Sequence, residues 1–129
     1  MAIRGILCAL FLGALLAASV ISGPASAMSL GFSWGPTKKC FDSKSPPMRV
    51  GKVPKGTKKL RFRMVDLNAP NYPHGGGTVT WRGKRNIPYG AFRYKGPCPP
   101  SRHTYQFTVE ALGAGNKVLG RAKARRAFP

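Results

Sequence analysis

Acidic residues are almost absent from this sequence. Its 129 residues include 22 lysines and arginines but three acids, Asp42, Asp66 and Glu110, and the formal net charge is +19 at pH 7. The basic residues are spread along the whole chain and form no single tract. This distribution indicates a general attraction to anionic surfaces and argues against one localised basic site.

Cysteine is also scarce, with three residues in the chain. Cys8 lies in the N-terminal apolar segment, so Cys40 and Cys98 remain for the rest of the protein. Two thiols alone make a poor zinc site. Both could be buried and free, but in an exported protein an even pair predicts a disulfide.

Long hydrophobic runs are missing beyond the first 27 residues. Arg4 precedes an apolar run, and Ala25-Ser26-Ala27 ends the segment with a small-x-small cleavage signal. A transmembrane anchor is the alternative, but Gly23-Pro24 and the cleavage signal favour removal. We therefore expect a signal peptide over residues 1–27, cleavage near Ala27 and a periplasmic or secreted location. Residues 28–129 then form one domain with a single core.

Internal repeats, low-complexity tracts and recognisable nucleic-acid motifs are absent as well. The segment His74-Gly75-Gly76-Gly77 is not a nucleotide phosphate loop, because no Lys-Ser/Thr pair and no helix pattern follow it. Its glycines let backbone approach a ligand closely. Nucleic acid is disfavoured as a partner, since export removes most natural candidates.

Two strongly alternating segments dominate what is present. Lys58 to Asp66 and His103 to Leu112 both alternate apolar and polar residues, which is typical of strands with one buried face. Asp66, His103 and Tyr105 have the parity of the buried faces and lie where those faces end. This shared parity indicates a pocket, although Asp66 could merely begin a turn.

The remaining segments favour strands joined by turns. Gly113–Asn116 is a turn signal, and Lys117 to Arg126 can pair back as a hairpin with a basic edge. Further strands are expected at Leu30–Trp34 and Gly77–Trp81, with a proline-rich loop at Ser43–Lys55 and an extended connector at Ile87–Phe92. We predict an all-β domain, a small antiparallel β-sandwich with Greek-key-like order.

Two motifs resemble those of the phosphatidylethanolamine-binding protein family, which includes the Raf kinase inhibitor-like proteins. The segment from Tyr94 to Tyr105 is similar to that family's Tyr-x-Gly-Pro-x-Pro-Pro…His-x-Tyr signature. Asp66-Leu67-Asn68-Ala69-Pro70, followed by His74, is similar to its Asp-x-Asp-Ala-Pro…His motif, with Asn68 replacing the second acid. The resemblance implies the family's sandwich, here without the C-terminal helix of longer members.

The same resemblance implies a function and a site. It predicts an exported protein that binds a phosphate-bearing lipid headgroup or small anion, without catalysis, cofactor or metal. Imidazoles and a phenol can donate to phosphate oxygens, and acidification should strengthen binding because an imidazolium is the better partner. The matching positions are Asp66, His74, Gly96, Pro97, His103 and Tyr105.

Several alternatives stay open at this point. Two histidines and a carboxylate could form a metal triad, and Ser101, His103 and Asp66 could form a hydrolase site, although neither spacing is typical. The leading alternative is a basic envelope protein that binds anionic membrane surfaces or an inhibitor-like protein partner through its charge. The salt dependence of binding distinguishes a pocket from a charged surface, because interactions in a buried pocket are screened far less.

Overall fold

The computed structural model describes residues 27–38 and 40–129. The predicted signal peptide lies outside these residues, apart from Ala27. Within the described part, no helix is long and apolar enough to cross a membrane.

Seven strands form two antiparallel sheets. The smaller sheet has the order β1-β2-β5 and the larger one the order β4-β3-β6-β7. The chain crosses from β4 to the smaller sheet at β5 and then returns to place β6 beside β3, as expected for Greek-key-like order. The strands are β1 (Ser29–Phe32), β2 (Met48–Gly51), β3 (Lys59–Asp66), β4 (Gly76–Thr80), β5 (Asn86–Ile87), β6 (His103–Leu112) and β7 (Val118–Phe128).

The two long alternating segments are the centre of the larger sheet. β3 pairs along its whole length with β6, from Lys59 opposite Leu112 to Asp66 opposite Tyr105. Every second residue of each strand is buried, as the alternation predicted. Because the period of a strand is two, this register puts the Asp66 and Tyr105 side chains on the same inward face at the same end of the sheet.

Aromatic rings contact one another throughout the core between the sheets. The Phe107 ring packs edge-on against Phe32 of the smaller sheet at 5.0 Å between centroids, and it also contacts Tyr94 at 5.7 Å. Phe62 stacks on Phe92 at 5.1 Å. Such pairs contribute about 0.5–1.5 kcal/mol each beyond their burial, so the core fixes the loop that carries Phe92 and Tyr94 against the sheet.

Hydrogen bonds join the edges of the two sheets. The Trp34 indole Nε1–H donates to the Ala127 carbonyl at 2.6 Å, and the Arg126 guanidinium donates to the Phe32 carbonyl at 2.8 Å. These bonds connect the segment around β1 to β7. They close the sandwich on this side, and one of them pairs a main-chain carbonyl of the β7 edge.

The prediction of a loop over Ser43–Lys55 was wrong for the middle of that segment. Met48–Gly51 forms β2, which pairs with β1 on one side and with β5 on the other. A strand of four residues is too short to display a period of two, so the pattern was hidden. The predicted all-β antiparallel sandwich is confirmed, and β7 extends two residues beyond the predicted hairpin strand.

Cys40 and Cys98 form the predicted disulfide, with their Cα atoms 4.7 Å apart. The bridge ties the loop after β1 to the loop before β6, which contains Pro97, Pro99 and Pro100, across 58 positions of sequence. Closing a loop of this length restricts the unfolded chain more than the folded one.

Replacing both cysteines by serine should lower the free energy of unfolding by about 2–4 kcal/mol, because the loop-closure entropy is lost. Urea denaturation of the oxidised protein and the double variant measures this difference. Reduction of the unmutated protein should reproduce the loss, and reduction of the double variant should change nothing. Equal stability of all forms would contradict the prediction.

Candidate functional site

Asp66 ends β3 with a carboxylate that is buried and fully engaged. Its Oδ1 accepts the backbone N–H groups of Asn68 at 2.9 Å and Ala69 at 3.2 Å, which shapes the turn after the strand. Its Oδ2 accepts a hydrogen bond from His103 Nδ1 at 2.6 Å. Burial alone would raise the pKa of this carboxyl, but the hydrogen bonds and the His103 charge outweigh it and lower the pKa.

The bond to Asp66 fixes which His103 nitrogen carries a proton. A carboxylate accepts only, so Nδ1 donates and a neutral ring has an unprotonated Nε2. The first residue of β6 is thereby oriented from β3, with 16% of the His103 side chain still exposed. A protonated His103 offers a second N–H to a ligand, whereas the neutral ring offers an acceptor.

His74 is held in the same way by a different partner. Its Nδ1 lies 2.7 Å from the Lys95 carbonyl, and the Lys95 N–H donates to the His74 carbonyl at 2.9 Å. Because a carbonyl only accepts, Nδ1–H is again the donor. The buried His74 ring meets Tyr105 edge-on at 5.5 Å, so it lies beside the inward face of the sheet.

Tyr105 provides the phenol of the site. Burial, the nearby Asp66 charge and a hydrogen bond with Asp66 all raise its pKa. The hydroxyl therefore stays protonated at neutral pH and can donate. Its ring lies near both His74 and His103, at 5.5 and 6.4 Å between centroids.

These four side chains line one cavity of about 170 Å³. This volume is below the range of about 300–1,000 Å³ that is usual for drug-sized ligands, so the cavity fits a small group. The rest of the cavity wall is mainly apolar. It is formed by Phe41, Ala69, Tyr72, Cys98, Pro99 and Pro100.

Gly96 and Pro97 are placed beside the site and do not line this cavity. A Cβ on Gly96 would lie 2.3 Å from the Asp42 carbonyl oxygen, so only glycine allows this close approach of two loops. Pro97 is fully buried, and its carbonyl accepts the Phe41 N–H at 3.2 Å. Their contacts support the cavity wall, and a direct contact with a ligand stays a prediction.

Sequence reasoning missed the aromatic wall. Phe41 and Tyr72 lie in loops without a periodic pattern, and they reach the cavity because of the disulfide and the turn after Asp66. Asn68, which replaces an acid of the motif, accepts the Thr104 N–H at 2.8 Å and so links that turn to β6. An amide oxygen can accept this bond as a carboxylate would.

The geometry of the described residues favours neither a metal triad nor a serine hydrolase site. Asp66, His74 and His103 do not gather into a group that could hold a metal ion, and neither do other described residues. Asp66 and His103 are paired as a hydrolase would need, but Ser101 does not line the cavity.

Asp66→Asn should lower the free energy of unfolding at pH 7 by about 1–3 kcal/mol, because the charge-assisted bonds are weakened. A carboxyl whose pKa is lowered by folding stabilises the protein above its unfolded pKa, and this contribution is lost as the pH falls through the folded value. The difference in the free energy of unfolding between wild type and variant should therefore become smaller below about pH 4. Urea denaturation at pH 7 and pH 2 measures it, and a gap independent of pH would contradict the assignment.

Neither a protein-family model nor a curated protein sequence matches this chain. Solved structures do match. The chain is similar to CT736 of Chlamydia trachomatis, described as a homologue of phosphatidylethanolamine-binding protein, with 17% identity and a TM-score of 0.61 over 81% of this chain and 99% of the other. It is equally similar to YbcL of E. coli, described as a member of the mammalian family of these proteins, with 17% identity and a TM-score of 0.61 over 80% and 98%.

The similarity covers nearly the whole of both known structures and most of this chain. It agrees with the two sequence motifs, which bracket the ends of β3 and β6 where the cavity lies. The chain therefore has the fold of the phosphatidylethanolamine-binding proteins.

Proposed function

We propose that the protein binds a phosphate-bearing lipid headgroup, or another small anion of that chemistry, in the cavity at the ends of β3 and β6. The observation that carries the proposal is the pairing of Asp66 with His103 beside His74 and Tyr105 in one small cavity. The two similar structures are described as relatives of phosphatidylethanolamine-binding protein, which supports the same type of ligand.

The charge of the site favours an anion once the histidines are protonated. Each Nδ1–H is committed to a protein acceptor, so a protonated ring directs its Nε2–H away from that acceptor. The single proton of the Tyr105 hydroxyl is engaged by Asp66, so the phenol helps to hold the carboxylate. The two imidazole N–H groups suit phosphate oxygens, which accept strong charge-assisted hydrogen bonds.

The proposed role is binding and not catalysis. In the described chain, the residues that line the cavity include no serine, threonine or free thiol, because Cys98 is in the disulfide. His103 therefore has no serine, threonine or free cysteine in the cavity lining to activate as a Ser–His or Cys–His pair does. We further propose that the protein acts after export, as its N-terminal segment and its disulfide suggest.

A second candidate function rests on the outer face of the larger sheet, here called the basic face. Arg61 and Arg121 both bond to Glu110, at 2.8 Å each, and lower its pKa. The other cations of this face have no acid opposite them in the sheet. The basic face consists of Arg61, Arg63, Arg121, Lys123 and Arg125, which alternate with buried positions of β3 and β7. Such a face suits an anionic membrane surface.

An NMR titration with phosphorylethanolamine at elevated salt tests the cavity. Saturable shifts are expected at His74, His103 and Tyr105, and His103→Gln should weaken binding about tenfold or more, because one charge-assisted hydrogen bond is lost. Tyr94→Phe is the matched control, since the Tyr94 hydroxyl is buried without a hydrogen-bond partner and outside the cavity. Diffuse shifts on the basic face that vanish with salt would favour the second candidate instead.

Affinity for a phosphodiester headgroup should rise as the pH falls from 8 to 5.5, because protonated imidazoles donate from both nitrogens. Glycerophosphorylethanolamine is the suitable probe, since a diester keeps its charge over this range while a monoester does not. Calorimetry at several pH values measures the effect, and His74→Gln should flatten the profile. A flat profile in the wild type would remove the imidazoles from the proposed role.

A further inference from the structure

A lysine ammonium lies between two exposed aromatic rings at the edge of the cavity. Lys95 Nζ is 4.7 Å from the Tyr72 ring centroid and 5.1 Å from the Phe41 ring centroid. Both distances are within the range of about 6 Å in which a cation is attracted to a ring face. We call Phe41 and Tyr72 the ring pair.

The ring pair is exposed to a degree that is unusual for large apolar groups in this protein. Phe41 is 48% and Tyr72 37% exposed, and Leu67 is the other large apolar residue with such exposure in the described chain. Burying either ring against the core would stabilise the protein more than leaving it in water. Their exposure beside the cavity therefore points to a binding role.

Ordered backbone holds all three residues in this arrangement. Lys95 is fixed by its two main-chain hydrogen-bond contacts with His74, and Tyr72 N–H donates to the Ala69 carbonyl at 3.0 Å. Phe41 has a φ of +54°, a left-handed conformation that a bulky residue adopts only when its surroundings impose it. The neighbouring disulfide and the bond to Pro97 provide that constraint.

The ring pair is also part of the cavity wall, whereas Lys95 is not. A ligand seated against His74 and His103 would thus have the two rings next to it. The Lys95 side chain is exposed, and a cation–π contact at an exposed position is weak. Another cation can replace the lysine ammonium, because the ring faces attract an organic ammonium in the same way.

We propose that the ring pair is a binding site for an organic ammonium group, and that Lys95 occupies it when no ligand is bound. A ligand that carries both charges places its phosphate on the histidine side and its ammonium between the rings, and it displaces Lys95 into solvent. The phosphate half of this statement rests on the proposed function. The ammonium half rests on the ring pair alone.

Three probes separate the two halves. Choline carries the cation only, and phosphorylcholine carries both charges. In its isostere, 3,3-dimethylbutyl phosphate, the phosphate is kept, while an uncharged carbon replaces the ammonium nitrogen. For the wild type, phosphorylcholine should bind about 2- to 5-fold more tightly than its isostere, as expected for an exposed cation–π contact. NMR titration of the full mature chain measures all three affinities.

Two substitutions should move this preference in opposite directions. Lys95→Gln removes the competing ammonium, so choline should bind more tightly and the ratio of phosphorylcholine to isostere should rise by about 2- to 5-fold. Phe41→Leu keeps an apolar side chain but removes the ring face, so the ratio should fall towards one. Lys55→Gln removes the same charge from the turn before β3, at the far end of that strand from Asp66, and should leave the ratio unchanged.

Each outcome has a definite meaning. A ratio that falls in Lys95→Gln, or one that is unaffected by Phe41→Leu in a variant with a native spectrum, overturns the ammonium site. Choline binding that strengthens in Lys95→Gln and is lost in Phe41→Leu supports it. If choline behaves in this way while neither phosphate compound binds, the proposed function fails and the ammonium site stands.

Discussion

The Asp66 carboxylate is the constraint on which the site depends. One of its oxygens closes the turn that follows β3, and the other orients His103 at the start of β6. A buried carboxylate is tolerated only when its hydrogen bonds replace those it made with water. Here the same bonds that satisfy the charge also connect the two central strands, so the chemistry of the site and the geometry of the sheet cannot be separated.

Two loops complete the cavity, and each is held at several points. The loop after β1 is tied to the loop before β6 by the disulfide, by the Phe41–Pro97 hydrogen bond and by close approach at Gly96. The loop before β6 is tied in turn to His74 through the main chain of Lys95. Prolines reduce the freedom of the unfolded loops, so less entropy is lost when this wall forms.

The strong positive charge of the chain acts at two ranges. Over the whole surface it attracts anions and depends on ionic strength, and the basic face concentrates it on one side of the larger sheet. In the proposed function, the donors oriented by Asp66 and by the Lys95 carbonyl determine where an anion would sit, so their direction matters more than net charge at the cavity. The general attraction would then bring ligands to a site whose selectivity has a different origin.

The sequence alone determined the strands β3 and β6 and the inward direction of Asp66 and Tyr105, because a period of two residues is a local property of the backbone. It also carried the motifs that indicated the fold. Only the tertiary structure decided that β2 is a strand, that Gly96 and Pro97 support the cavity wall without lining it, and that Phe41 reaches the cavity. Those outcomes depend on contacts between segments far apart in the chain, and neither alternation nor turn chemistry records such contacts.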